Sequence, residues 1–261
     1  MNFLTSILNT LGSGATAYIL ASNLRDPLTR PNTLAGFQLA ESGSVPFLEK
    51  LSQRATAEGD TWLAEKLALH AADERRHGQI FARALKQLGK QVINLKQAQD
   101  NLQARSAEPR LRRSQKQERS PFFDTYFEGY TPAELKPEQM DWIVFMGSTY
   151  ILELDASKDF ARMARVLPEE ETTSRHLKQG ILSVARDETR HAAYLYEALQ
   201  RRLSQREIEK VVEDWRERKV KAMFAMVANL IQKGGKTPSL VQDGVPTELE
   251  SQETELLAIS S

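Results

Sequence analysis

The sequence predicts an all-α protein built on a four-helix bundle, with extra N-terminal and C-terminal helices. Three observations predict this. Apolar residues recur at helical spacing over long stretches, and no segment alternates as a half-buried strand would. The pentapeptides Asp73-Glu74-Arg75-Arg76-His77 and Asp187-Glu188-Thr189-Arg190-His191 share one pattern, Asp-Glu-x-Arg-His. Each follows another glutamate at hairpin distance: Glu41 stands 33 residues before Glu74, and Glu153 stands 35 before Glu188.

The elements follow in order. Phe3, Leu4, Ile7, Leu8 and Leu11 keep helical spacing within a stretch, Asn2 to Leu24, that carries no charge. This is expected to pack on the domain, because it lacks the basic residues of a membrane-binding face. A first core helix is expected from about Asn32 to Ala57, ended by Gly59-Asp60, and a second from about Thr61 to Leu88, ended by Gly89. A long connection, about Lys90 to Lys136, separates core helices 2 and 3. Its part from 105 to 119 is basic and expected to be solvated. Phe122, Phe123, Tyr126, Phe127 and Tyr130 are then too many aromatics to leave in water and are expected to fold back over the bundle. The third core helix begins near Pro137 and ends near Leu167-Pro168. The fourth starts around Glu169, where three glutamates suit a positive helix end, and runs to about Leu203. Ser204-Gln205-Arg206-Glu207 has the form of a capping box opening a further helix to Gln232. The bundle occupies 1–235, and 236–261 reads as a disordered acidic tail.

Register selects the first-arm glutamates. Glu41 lies 18 residues before Gly59 and Glu74 lies 15 after it; Glu153 lies 15 before Pro168 and Glu188 lies 20 after it. At about 1.5 Å per residue these depths agree to within helix tilt. Asp155 is a rival to Glu153 but is shorter and points elsewhere on the helix. Residues i and i+3 share a helix face, so each Glu-x-x-His offers a carboxylate and an imidazole to one ion. Four carboxylates and two histidines from four helices make a dinuclear metal site inside a bundle. Glu41 and Glu153 are assigned mainly as terminal ligands, Glu74 and Glu188 as bridges, and His77 and His191 as one per metal. Asp73 and Asp187 can each reach the opposite motif's histidine, with Arg76 and Arg190 keeping them ionised. Thr149 and Tyr150 lie one turn before Glu153, and Tyr194 one turn after His191. A tyrosine there can be a redox group or pocket wall, and core packing is the first reading. His70 and His176 are taken as ordinary surface or core residues.

Composition narrows the chemistry. The 261 residues contain no cysteine, which excludes disulfides, thiolate metal sites and a thiol nucleophile held by this chain. Oxygen and nitrogen donors remain, and these suit iron or manganese. A formal net charge of zero gives no case for nucleic acid as a partner. No apolar run reaches the roughly 18 residues of a membrane span.

This layout resembles the ferritin-like di-iron carboxylate superfamily over roughly Thr33 to Arg202. Asp-Glu-x-Arg-His twice is similar to the signature of its oxygen-activating members: bacterial multicomponent monooxygenases, the ribonucleotide reductase small subunit and soluble acyl-carrier-protein desaturases. Asp73 to Gly78 is nearest to the desaturases' first motif, which also has Gly after His. The 79 residues from Glu74 to Glu153 exceed a desaturase's spacing. The resemblance implies two iron ions, or a manganese–iron pair, held by Glu41, Glu74, His77, Glu153, Glu188 and His191. It implies a cytoplasmic oxidoreductase that uses dioxygen to hydroxylate, desaturate or similarly oxidise an organic substrate, with an external electron donor. A homodimer is compatible with it. Alternatives are a peroxide-reducing protein of rubrerythrin type, iron storage, and a non-catalytic scaffold or assembly factor.

Overall fold

The computed structural model describes residues 18–93, 120–170, 172–234 and 239–244, the side chain of residue 173 excepted. These residues are mostly helical, as expected. After a short helical stretch over 18–25, helix α1 spans Arg30–Ala57, with Pro31 in its first turn, where a missing N–H leaves no bond unmade. Gly59, at φ 83°, turns the chain, and Asp60 caps α2 (Thr61–Gln87) by accepting from the Leu63 N–H at 3.0 Å. A three-residue strand β1 (Lys90–Val92) follows. Later come a short helix α3 (Pro121–Tyr126), α4 (Trp142–Arg165), α5 (Thr172–Gln200) and α6 (Gln205–Gln232). Glu207 reaches back to the Ser204 N–H at 2.8 Å, as a capping box does.

Two boundaries differ from expectation. α4 begins at Trp142 rather than near Pro137, because the Asp141 carboxylate caps it from the Ile143 and Val144 N–H groups at 2.8 and 3.0 Å. α5 begins at Thr172 rather than Glu169. Glu169 lies before the helix, its carbonyl accepting from Arg175 and its carboxylate pairing with Lys178.

The disordered reading of 236–261 is corrected over 239–244. Val241–Asp243 forms a strand, β2, antiparallel to β1, with Lys90 opposite Asp243 and their side chains paired at 2.5 Å. The Leu240 N–H donates to Asn32 Oδ1 at 2.6 Å, and the Leu240 and Val241 side chains pack on the core. Burying two apolar side chains and pairing the exposed edge of β1 offset the ordering of this segment. The rest of the tail, the N-terminal stretch before residue 18 and the basic loop 105–119 lie outside the described residues.

α1 packs along α2 and α4 along α5, and the two hairpins meet chiefly through α2 and α5. Their shared interior has two apolar ends. Leu34, Phe81, Phe160 and Ile181 belong to one, and Leu51, Leu67, Phe145 and Leu195 to the other. Glu41, Glu74, Glu153 and Glu188 fall between these ends on their respective helices. The aromatic segment folds back as expected, onto the seam between α4 and α6. Tyr126 is fully buried, packs on Trp215 at 5.0 Å and donates to the Ser148 carbonyl at 2.8 Å. Gly147 permits this seam, since a Cβ there would stand 2.5 Å from Val211 Cγ1 and 2.7 Å from Trp215 Cδ1. Among the described residues no helix is long and apolar enough to cross a membrane.

Candidate metal centre

Between the two apolar ends α1, α2, α4 and α5 each contribute acid, and two of them contribute imidazole. The donors fall into two groups, Glu41, Glu74, His77 and Glu188, and His70, Glu74, Glu153 and His191. Within each group one donor atom per residue lies within 4.8 Å of the others, so either group can hold a metal ion. Glu74 belongs to both. Its Oε1 lies 3.7 Å from His77 Nδ1 and 3.6 Å from His191 Nδ1. Glu188 divides its oxygens, Oε1 standing 3.3 Å from His77 Nδ1 and Oε2 standing 3.6 Å from His191 Nδ1. Glu41 Oε2 stands 3.4 Å from His77 Nδ1, and Glu153 Oε2 stands 3.5 Å from His191 Nδ1. Glu74 and Glu188 thus reach both groups, whereas Glu41 and Glu153 each sit in one. Helix geometry explains the convergence: each Glu-x-x-His spans i to i+3 on the inward face of α2 or α5.

The far side of each imidazole is tied across the hairpins. The His77 Nε2–H donates to Asp187 Oδ2 and the His191 Nε2–H donates to Asp73 Oδ2, both at 3.2 Å. A carboxylate can only accept, so these contacts place a proton on each Nε2 and turn each Nδ1 inward. Arg76 bridges Asp73, at 3.2 Å, and Asp187. Arg190 does the same, 3.2 Å from Asp73 and in contact with Asp187. The result is a closed ring of two aspartates, two arginines and two histidines, placing both imidazoles by the same pair of helices.

Inside that ring the polar groups are incompletely satisfied. Among the described residues, His77 Nδ1, Glu188 Oε1 and His191 Nδ1 are buried side-chain atoms with no hydrogen-bond partner. Orphaned buried donors and acceptors cost free energy and are rare. Protons redistribute instead. Burial opposes charge on His77, but Glu188 and Glu41 outweigh it and hold its pKa up at about 10. Burial likewise opposes charge on His191, and Asp73, Glu153 and Glu188 push it up to about 12. Burial raises Glu41 well above the carboxylate range, and it raises Glu188, with the nearby Glu153 charge adding to the effect. Burial also works against the charge on Glu153, yet a hydrogen bond from Glu188 and the flanking His70 and His191 hold it well below that range. Cationic imidazoles and protonated acids here do what a divalent cation does more completely, namely neutralise a buried cluster of carboxylates. Oxygen and imidazole donors without thiolate suit first-row ions such as iron or manganese.

The other residues singled out in the sequence fall variously. Tyr194 is buried beside the second group, its hydroxyl 2.8 Å from His70 Nδ1. Tyr150 is half-buried against Tyr196 at 5.4 Å, and Thr149 is half-buried on the same helix. Asp155 points away from the centre into a buried pair with Lys219 of α6. His176 is exposed. His70 departs from its reading as an ordinary core residue: it is buried and its Nε2 lies 3.2 Å from Glu74 Oε1 and 3.5 Å from Glu153 Oε1. Its signal was in the spacing, since His70, Glu74 and His77 stand at i, i+4 and i+7 of one helix face. Ser44 was not foreseen either. Its hydroxyl sits 2.6 Å from the Glu41 carbonyl and 3.3 Å from Glu74 Oε2, and nothing in the pattern marks it. Gly78, following His77, leaves room for α1, because a Cβ would run into the Ser42 side chain.

Comparison of the chain with family models, with curated proteins and with solved structures finds no match.

Proposed function

We propose that this chain is a ferritin-like di-metal carboxylate oxidoreductase that uses dioxygen to oxidise an organic substrate. One observation carries the reading: two donor groups share Glu74, and three inward donor atoms are buried without partners. Four carboxylates would balance the charge of two divalent ions, and the donors form two groups, each able to hold one. Glu41, Glu74, His77, Glu153, Glu188 and His191 would hold two iron ions, or a manganese–iron pair. His70 is a further donor within reach.

When bound, such a metal pair supplies electrons for the reduction of dioxygen, and an external donor replenishes them. The chain's own residues prepare that chemistry. The Asp–Arg–His ring fixes both imidazoles and their tautomers. Leu67, Phe81, Phe160 and Leu195 belong to apolar layers on either side of the centre and keep bulk water from it. Pro46, within α1, lacks the N–H that would serve the Ser42 carbonyl, one residue after Glu41.

The test is elemental analysis of the purified full chain after anaerobic loading with ferrous iron, beside Glu188→Ala. About two metal ions per chain, falling below one in the variant, is the expected result. A chain that takes up no metal, or a variant that keeps both ions, overturns the reading.

A further inference from the structure

Taken as corresponding arms, α2 and α5 match at the Asp, Glu, Arg and His of their shared motif. Asp73 answers to Asp187, Glu74 to Glu188, Arg76 to Arg190 and His77 to His191. Two differences fall beside the donors. Four residues before the shared glutamate, α2 carries His70 where α5 carries Val184. Three residues after the histidine, α5 carries Tyr194 where α2 carries Ile80. Both odd residues are buried at the same place, with His70 Nδ1 and Tyr194 Oη 2.8 Å apart. A polar pair has been built into one half of an otherwise repeated centre.

We propose that His70 is a third nitrogen ligand, which makes the two metal positions unequal. The inference rests on the two-metal reading above. His70 Nε2 stands 3.2 Å from Glu74 Oε1 and 3.5 Å from Glu153 Oε1. His191 Nδ1 stands 3.6 Å from Glu74 Oε1 and 3.5 Å from Glu153 Oε2. Donors held about 2.1 Å from one ion at tetrahedral or octahedral angles stand roughly 3.0–3.4 Å apart; the His70–Glu74 separation lies in that range and the other three exceed it by 0.1–0.2 Å. The two imidazoles lie against each other, ring centroids 3.7 Å apart, with their donor atoms in one group.

The proton on His70 decides between ligand and support. In the ligand arrangement Tyr194, 2.8 Å away, accepts from the Nδ1–H and the Nε2 lone pair faces Glu74 and Glu153. This is the arrangement of a ligating histidine, whose second ring nitrogen donates to a fixed oxygen. In the opposite tautomer the Nε2–H would donate to Glu74 and His70 would only position that carboxylate. The ligand assignment makes the position of His70, His191 and Glu153 richer in nitrogen than that of His77 and Glu41. The richer position binds first-row divalent ions more tightly, so the centre fills in order and suits two unlike metals.

Cobalt(II) is the probe, because it is paramagnetic and prefers the same donors. In the cobalt-loaded full chain, each ligating imidazole contributes one contact-shifted, solvent-exchangeable N–H proton resonance. Three are expected, from His70 Nδ1–H, His77 Nε2–H and His191 Nε2–H; selective ¹⁵N-histidine labelling assigns them. Cobalt titration of His70→Gln is expected to show one of the two affinities weakened at least tenfold and the other kept. Two shifted N–H resonances in the wild-type chain, with two cobalt ions bound, overturn the role of His70 and leave the two-metal reading standing. Equal affinities in the wild-type chain and His70→Gln do the same. A wild-type chain that takes up no cobalt overturns both.

Discussion

Asp187 shows how the centre's residues depend on partners outside the two donor groups. Its carboxylate accepts from the His77 Nε2–H at 3.2 Å and contacts Arg76 and Arg190. It therefore turns His77 Nδ1 inward, and the two guanidiniums hold the carboxylate in place. Asparagine at this position is nearly isosteric but loses the negative charge, and it can present an N–H donor to a ring nitrogen that is itself a donor. Asp187→Asn is expected to weaken metal binding about 10–100-fold, with little change in helix content. Competition titration against a chelator of known affinity measures this, and an unchanged affinity would mean that His77 needs no orienting partner. The equivalent Asp73→Asn should act on the His191 side to a similar degree, because Asp73 Oδ2 holds that ring at the same 3.2 Å.

At the scale of elements, close approach matters more than propensity. α4 comes near α6 at Gly147, where a methyl group would stand 2.5 Å from Val211 Cγ1 and 2.8 Å from Trp215 Nε1. Trp215 is held by Tyr126, Phe127 and Tyr130 and cannot retreat cheaply. Gly147→Ala is therefore expected to destabilise the chain by about 1–3 kcal/mol through overpacking, read as a lower denaturant midpoint at unchanged slope. The strand pair carries a second expectation. Truncation before Ser239 removes Leu240 and Val241 from the core and leaves β1 unpaired, for a loss of roughly 2–4 kcal/mol. Truncation that leaves the melting temperature unchanged would show the segment to be dispensable. These elements also mark where sequence reading reached and stopped. The long helices and their turns were legible because Gly59, Gly89 and Asp60 punctuate a sustained apolar period. The Glu-x-x-His pairs were legible because i to i+3 spacing is a helical rule. β1 and β2 were not, since two three-residue strands some 150 residues apart have no period to read and gain their stability only from each other. His70 is not legible for a related reason: a lone histidine on an apolar face has a common structural use, and only Glu153 and Tyr194, from other helices, disclose another.

Across the whole molecule, the bundle is interrupted at its middle by a layer of ionisable groups, with apolar cores at both ends. Such a layer adds nothing to folding that leucine would not supply better, because each buried charge must be compensated. Without metal the compensation is protons on His77, His191, Glu41 and Glu188, and three inward atoms still lack partners. A ligand that binds the folded layer and not the unfolded chain stabilises the fold by mass action. At a free metal concentration roughly a hundred times Kd the gain is about 2.7 kcal/mol per site. For a chain of this size that corresponds to a rise in melting temperature of roughly 5–10 °C for each site filled. Calorimetry of the metal-free and ferrous-loaded protein under argon measures it. Glu74→Gln is expected to keep a folded bundle and lose this rise, because Glu74 is the donor common to both groups and its removal weakens both positions together. A rise of equal size in Glu74→Gln would place the stabilising metal somewhere other than this layer.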